Sequence, residues 1–237
     1  MFNFIELAKP RTALHTIKAI FPWVLALTFL TGLWGITEAL FLSPPDYQQG
    51  DLVRIMYVHV PASWMALMVY GFVAINSIIF LIWRIPLADL MAASAGPVGL
   101  CFTAVSLLTG SIWGKTTWGT WWVWDARLTS MLLLFFLYLG YLSLRDSFSH
   151  PQRGQRSSSL LAVIGLINLP IIKWSVTWWH TLHQPASIMR WGKPAIDSAM
   201  LRPLFLMALT FLGYFLIILI LRLRTSLSAQ KNKETSQ

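Results

Sequence analysis

Charge is what this sequence has least of. Of 237 residues only 11% are Asp, Glu, Lys or Arg, against 56% hydrophobic residues, and the mean hydropathy is +0.61. An average soluble domain carries about 25% charged residues, so there is too little polar side chain here to clothe a globular surface. The scarcity is concentrated: Phe21–Thr37, Val58–Trp83, Leu128–Leu144 and Leu204–Leu221 contain no charged residue at all. A cytosolic enzyme, a nucleic-acid-binding domain and a disordered chain are thereby excluded. Cysteine is nearly absent. The single Cys101 permits neither an intrachain disulfide nor a cysteine-based metal site. Acidic residues number 9 against 18 Lys and Arg, a net charge of +9, which in a membrane protein marks cytoplasmic loops. Tryptophan, by contrast, is abundant: 13 residues, roughly four times the average share.

A helix needs about 20 apolar residues to cross a hydrocarbon core of about 30 Å. Runs of that kind predict six spans, at 21–42, 56–83, 90–112, 128–144, 159–177 and 203–221. The fifth is the weakest, cut short by Pro170 and ending at Lys173. The fold class expected is therefore an all-α membrane protein: one six-helix domain over residues 1–225, followed by a polar tail at 226–237. Counting loop charges gives +7 on the side that holds both termini and +2 on the other. The positive-inside rule places both termini in the cytoplasm.

With that topology the unusual residues gather on the outer side. Nine of the 13 Trp fall in two outer connections: Trp113, Trp118, Trp121, Trp122 and Trp124, then Trp174, Trp178, Trp179 and Trp191. His59, His180 and His183 lie on the same side; His15 and His150 belong to cytoplasmic segments. The offsets from Trp118 to Trp121, Trp122 and Asp125 are three, four and seven, which predicts a short helix along the outer interface. Its rings would face the membrane or a flat apolar ligand. An ordinary aromatic belt explains scattered Trp, but poorly explains four Trp in seven residues followed at once by Asp125 and Arg127. His180 and His183, three apart, could share a helical face. Were His59 to approach either of them, the pair would form a bis-imidazole clamp beside an aromatic wall. Such a clamp suits haem iron. Cations for its propionates are available outside in Arg54, Lys115 and Arg190, with Arg127 and Lys193 nearby in sequence.

The segment Trp118-Gly-Thr-Trp-Trp-Val-Trp-Asp-Ala-Arg-Leu-Thr129 resembles the tryptophan-rich (WWD) signature of the haem-handling membrane proteins of cytochrome c maturation. Tyr57-Val-His-Val-Pro-Ala62 and Trp178-Trp-His-Thr-Leu-His-Gln184 resemble the two histidine-bearing flanks of the same proteins. With 237 residues and six spans, the chain is similar to the CcmC family over nearly its whole length. The resemblance implies transient, non-covalent binding of haem b at the periplasmic face of a bacterial inner membrane and its delivery to a periplasmic haem chaperone. It further implies a small single-span helper protein and the membrane and ATPase subunits of an ATP-binding-cassette transporter as partners. By position it matches His59 and His183 to the axial ligands of haem iron. Trp113, Trp118, Trp121, Trp122, Trp124, Asp125 and Arg127 match the platform for haem and chaperone. Many relatives carry Asn where this chain has His180. The role implied is a haem-binding and delivery protein more than a catalyst. A b-type cytochrome would be expected to carry His pairs inside its spans, and none is present. A small-solute permease needs polar groups near the midplane, where Asn76 is the main candidate, and there an interhelical hydrogen bond is its expected role.

Overall fold

The computed structural model describes residues 10–183, 188 and 192–235, and among these it is helical with no named strand. Among the described residues there are seven α-helices: α1 (Pro10–Thr37), α2 (Met56–Trp83), α3 (Pro86–Trp118), α4 (Ala126–Asp146), α5 (Pro151–Gly165), α6 (Asn168–Trp178) and α7 (Ser198–Thr235). They supply six stretches long and apolar enough to cross a membrane, α5 and α6 together forming the fifth. Each apolar run expected from sequence lies within one of these stretches.

The break in the fifth stretch has a local cause. Proline has no N–H, so Pro170 cannot close a helical bond to the Leu166 carbonyl. The chain crosses the gap on tighter bonds instead, Leu166 N–H to the Val163 carbonyl (3.2 Å) and Ile167 N–H to that of Ile164 (3.3 Å).

Helices α2, α3 and α4 form the centre, with α5 packed on α2 and α4, α6 on α4, and α7 on α2 and α3. The largest core cluster runs through Val69, Tyr70, Val73, Ala92, Ala95, Leu134, Tyr138 and Tyr141. Tyr138 donates to the Ala66 carbonyl at 2.9 Å, which satisfies a phenol that burial would otherwise leave unpaired. At one end of the bundle Arg145 (α4) grips the buried Asp89 (α3) through both carboxylate oxygens. Asn76 does not bridge helices: its amide donates to the Phe72 carbonyl of its own helix at 2.8 Å. The interhelical role expected for it is thereby corrected.

Helix α1 lies at the periphery, packed chiefly on α7, and leaves Trp23, Leu27, Leu30 and Trp34 exposed. It ends in a π-turn, Glu38–Leu42, closed by the Ser43 N–H on the Glu38 carbonyl at 2.7 Å. Arg54 then donates to the Ala39 carbonyl that this irregular turn frees, at 3.0 Å. The opposite end of the bundle from Asp89 and Arg145 thus collects the π-turn, the start of α2, the end of α3 and the start of α7. That is the end at which His59 and His183 lie.

Candidate functional site

His59 sits one turn into α2, and α3 holds its ring. Its Nδ1 lies 3.0 Å from the Ser106 carbonyl and 3.1 Å from Thr109 Oγ1. A carbonyl only accepts, so the proton is on Nδ1 and the Nε2 lone pair is left for another partner. Room for the ring comes from Gly110: a Cβ there would stand 2.8 Å from His59 Cε1. Trp113, one turn further along α3, meets the same imidazole edge-on at 5.7 Å between centroids. Trp113 is itself fixed by its Nε1–H donating to Gln49 Oε1 at 2.7 Å.

His183 is positioned by the start of α4. Asp125 caps that helix, accepting the Leu128 N–H at 2.7 Å on Oδ1. Its Oδ2 accepts a short bond from the Thr181 hydroxyl, and Thr181 Oγ1 accepts the His183 N–H at 3.1 Å. This chain of bonds from cap to loop ties the loop bearing His183 to the helix start. Trp118 packs edge-on against the His183 ring at 5.3 Å. Burial pushes this imidazole down to about 3, helped by the charge of Arg127 and by His59 and opposed by Asp125. It is therefore neutral across the physiological range.

The two imidazoles border common space. A cavity of about 670 Å³, within the usual range for ligand pockets, is walled by His59, Trp64, Trp113, Arg127, Lys173 and His183 among others. A smaller apolar recess of about 60 Å³ reaches inward past Leu67, Leu107, Met131 and Ile172, sharing His59, Arg127 and His183 with the larger cavity. Trp118 and Trp122 line that recess.

The tryptophan-rich segment departs from the helix expected for it. Helix α3 runs on to Trp118 and is stopped by Gly119, which is left-handed at φ 77°. Residues 120–125 are non-helical until Asp125 starts α4. Trp121 and Trp124 are consequently exposed, while Trp122 turns inward. Ser111 Oγ holds the Trp121 carbonyl at 2.7 Å, and Thr120 Oγ1 that of Trp122 at 3.0 Å. The helical face expected for His180 and His183 is also absent: α6 ends at Trp178 and Trp179 is extended. His180 is exposed and lines neither cavity, whereas His183 lines both.

Arg54 and Lys115 are not brought to the cavity. Arg54 pairs with Asp51 at 2.9 Å and caps the π-turn; Lys115 donates to the Gly119 carbonyl at 3.0 Å and lies over the Trp121 ring. Arg190 and Trp191 fall outside the described residues. Among the described residues, the cations that line the cavity are Arg127 and Lys173. Gly110, Ser106, Thr109, Thr181 and Gln49 escaped the sequence reading. A glycine inside an apolar span was the one cue available for this group.

Fold and cavity together define a multi-pass helical membrane protein that presents two imidazoles in an aromatic pocket near one end of its bundle. The chain matches the CcmC family, described as heme exporter protein C, over residues 3–237, and it belongs to that family. It is 45% identical over 225 residues to heme exporter protein C of Bradyrhizobium diazoefficiens, covering 95% of this chain and 85% of the relative. To heme exporter protein C of Haemophilus influenzae it is 44% identical over 226 residues, covering 95% and 92%. A cytochrome c biosynthesis ccmC-like mitochondrial protein of Marchantia polymorpha is 48% identical over 193 residues, covering 80% and 81%.

Proposed function

We propose that this protein binds haem as cargo at the periplasmic face of a bacterial inner membrane and hands it to a periplasmic haem chaperone during cytochrome c biogenesis. Membership of the heme exporter protein C family supports a role in haem export for that process. One observation carries the finer reading: His59 and His183 border the same cavity, with the Nδ1 proton of His59 committed to a carbonyl. Neutral imidazoles are the form that ligates iron. The cavity walls fit the rest of a haem, since Trp64, Trp113 and Val60 offer apolar contact and Arg127 and Lys173 offer cations for carboxylates. His59 and His183 would hold the iron of a non-covalently bound haem b, and His180 would take no part.

The exposed Trp121 and Trp124, on a segment anchored at both ends, form the surface to which the chaperone docks. The +7 against +2 loop charges support cytoplasmic termini and an outward-facing cavity. An ATP-binding-cassette transporter pair and a small single-span helper complete the assembly, the partners that the resemblance of the sequence implies.

The test is a pull-down with purified, haem-loaded protein in detergent and a soluble haem chaperone. Retention should require haem and should be lost in the Trp121→Ala, Trp124→Ala double variant. Retention that ignores both haem and the two Trp would overturn the handover.

A further inference from the structure

A second polar site lies beside the haem cavity. Glu38 opens the π-turn after α1, and its side chain is 1% exposed. Oε2 accepts from Arg202 Nε at 2.7 Å, but Oε1, also buried, has no hydrogen-bond partner among the described residues. A buried carboxylate oxygen left without a donor carries the full penalty of its lost hydration, so a donor is expected to fill it. Both residues line a cavity of about 260 Å³ with Leu42, Ser43 and Ser198. The Arg202 side chain meets Glu38 through Nε and is otherwise 70% exposed, leaving the rest of the guanidinium for a second anion. Asp197, at the start of α7, lies on the neighbouring cavity and holds the Ala199 N–H at 2.8 Å.

The pair therefore asks for a ligand with an anion for Arg202 and, a short distance away, an N–H-bearing cation for Glu38 Oε1. Glu38 and Arg202 neutralise each other, which favours a ligand of zero net charge. Along the end of α1, the π-turn and the start of α7, Leu33, Trp34, Phe41 and Phe205 are exposed apolar side chains, a surface for acyl chains. We propose that this is a binding site for phosphatidylethanolamine: phosphodiester on Arg202, primary ammonium on Glu38, acyl chains along α1 and α7. Phosphatidylcholine has the same charges but no N–H for Oε1, and phosphatidylglycerol has no cation. Ionisable residues at membrane depth mark functional sites, and π-turns recur at them. The cavity abuts the larger one through Ser43–Pro44 and Ala199–Met200, so the lipid would buttress a wall of the haem cavity.

The test uses the full-length protein in nanodiscs of mixed phosphatidylethanolamine, phosphatidylcholine and phosphatidylglycerol, extracted into mild detergent, with retained lipid measured by mass spectrometry. Wild type should retain phosphatidylethanolamine over the other two by about tenfold, the factor that one hydrogen bond to a charged group carries. Glu38→Gln, which keeps the shape, should bring phosphatidylethanolamine level with phosphatidylcholine, and Arg202→Gln should abolish retention. Lipids retained in bulk proportion by wild type would overturn the proposal without any variant. So would a preference that survives Glu38→Gln. Displacement of the lipid by millimolar glycerophosphoethanolamine would show that a soluble phosphoethanolamine ester is the ligand, and would equally overturn it.

Discussion

Gly110→Ala tests directly the geometry behind the ligand role proposed for His59. The added methyl would stand 2.8 Å from Cε1 and 3.4 Å from Nδ1 of His59, so the ring must retreat by about 0.6 Å to reach ordinary contact. It cannot do so freely, because Nδ1 is held at 3.0 Å by the Ser106 carbonyl and at 3.1 Å by Thr109. A retreat of that size along the bond would take it to a length that no longer counts as a hydrogen bond. Overpacking of this kind costs about 1–3 kcal/mol, and a lost hydrogen bond about 0.5–1.5 kcal/mol. Alanine recovers about 0.8–1.0 kcal/mol in helix propensity, so overall stability should fall by no more than about 4 kcal/mol. Haem affinity should fall as well. Disturbing the group that orients a ligating imidazole typically lowers affinity by about 10–100-fold. The assay is haem titration of purified protein followed by absorption, with circular dichroism to confirm the fold. Gly71→Ala, where the nearest atom to the new Cβ is Leu169 Cδ1 at 3.9 Å, serves as the control. If Gly110→Ala bound haem as tightly as Gly71→Ala, the reasoning would fail.

Two further outcomes follow from the same site. Thr181→Val removes the hydroxyl joining Asp125 to the His183 N–H. It should loosen the His183 loop and weaken haem binding about tenfold or more, with the α4 cap intact because Leu128 still bonds Asp125; unchanged affinity would show that the loop is held by other means. The second concerns pH. His183 is pushed down to about 3 from an ordinary 6.5 by burial first and by Arg127 next. On acidification the unfolded chain takes up this proton before the folded one does. Stability contributed by the neutral ring is therefore complete above pH 6.5 and drains between 6.5 and about 3. Haem affinity should stay level from pH 7 to 5, whereas a solvated imidazole would lose about 25-fold of its neutral form over that interval. A fall of that size would place the His183 ring in water.

The six spans were legible because a membrane-crossing helix needs little beyond length and apolarity, and runs such as 203–221 supply both. Helix ends were less legible, since α3 continues past Ile112 to Trp118 through residues polar enough to look like loop. The tryptophan segment misled on spacing. Trp118, Trp121, Trp122 and Asp125 fit a helical period, but Gly119 can adopt a left-handed stop and Asp125 is a strong N-cap, and these two local signals outweigh seven residues of periodicity. The histidines could be singled out from sequence, while choosing between His180 and His183 by structure needed the loop path that Thr181 and Asp125 impose. Arg54 shows the limit from the other direction. A cation on the right side of the membrane is a reasonable partner for a propionate, yet its guanidinium is taken by Asp51 and by a carbonyl 15 residues back in the chain. No pattern in the sequence reports that a π-turn will free that carbonyl.

The central claim, that His59 and His183 together hold haem iron, is tested most directly by ligand deletion and rescue. Purified His59→Gly and His183→Gly variants should each bind ferric haem with one axial position lost, visible as a change from low-spin to high-spin absorption and electron paramagnetic resonance. Added imidazole, filling the space left by the missing side chain, should restore the low-spin spectrum. Low-spin, six-coordinate haem persisting in both variants without imidazole would contradict the claim.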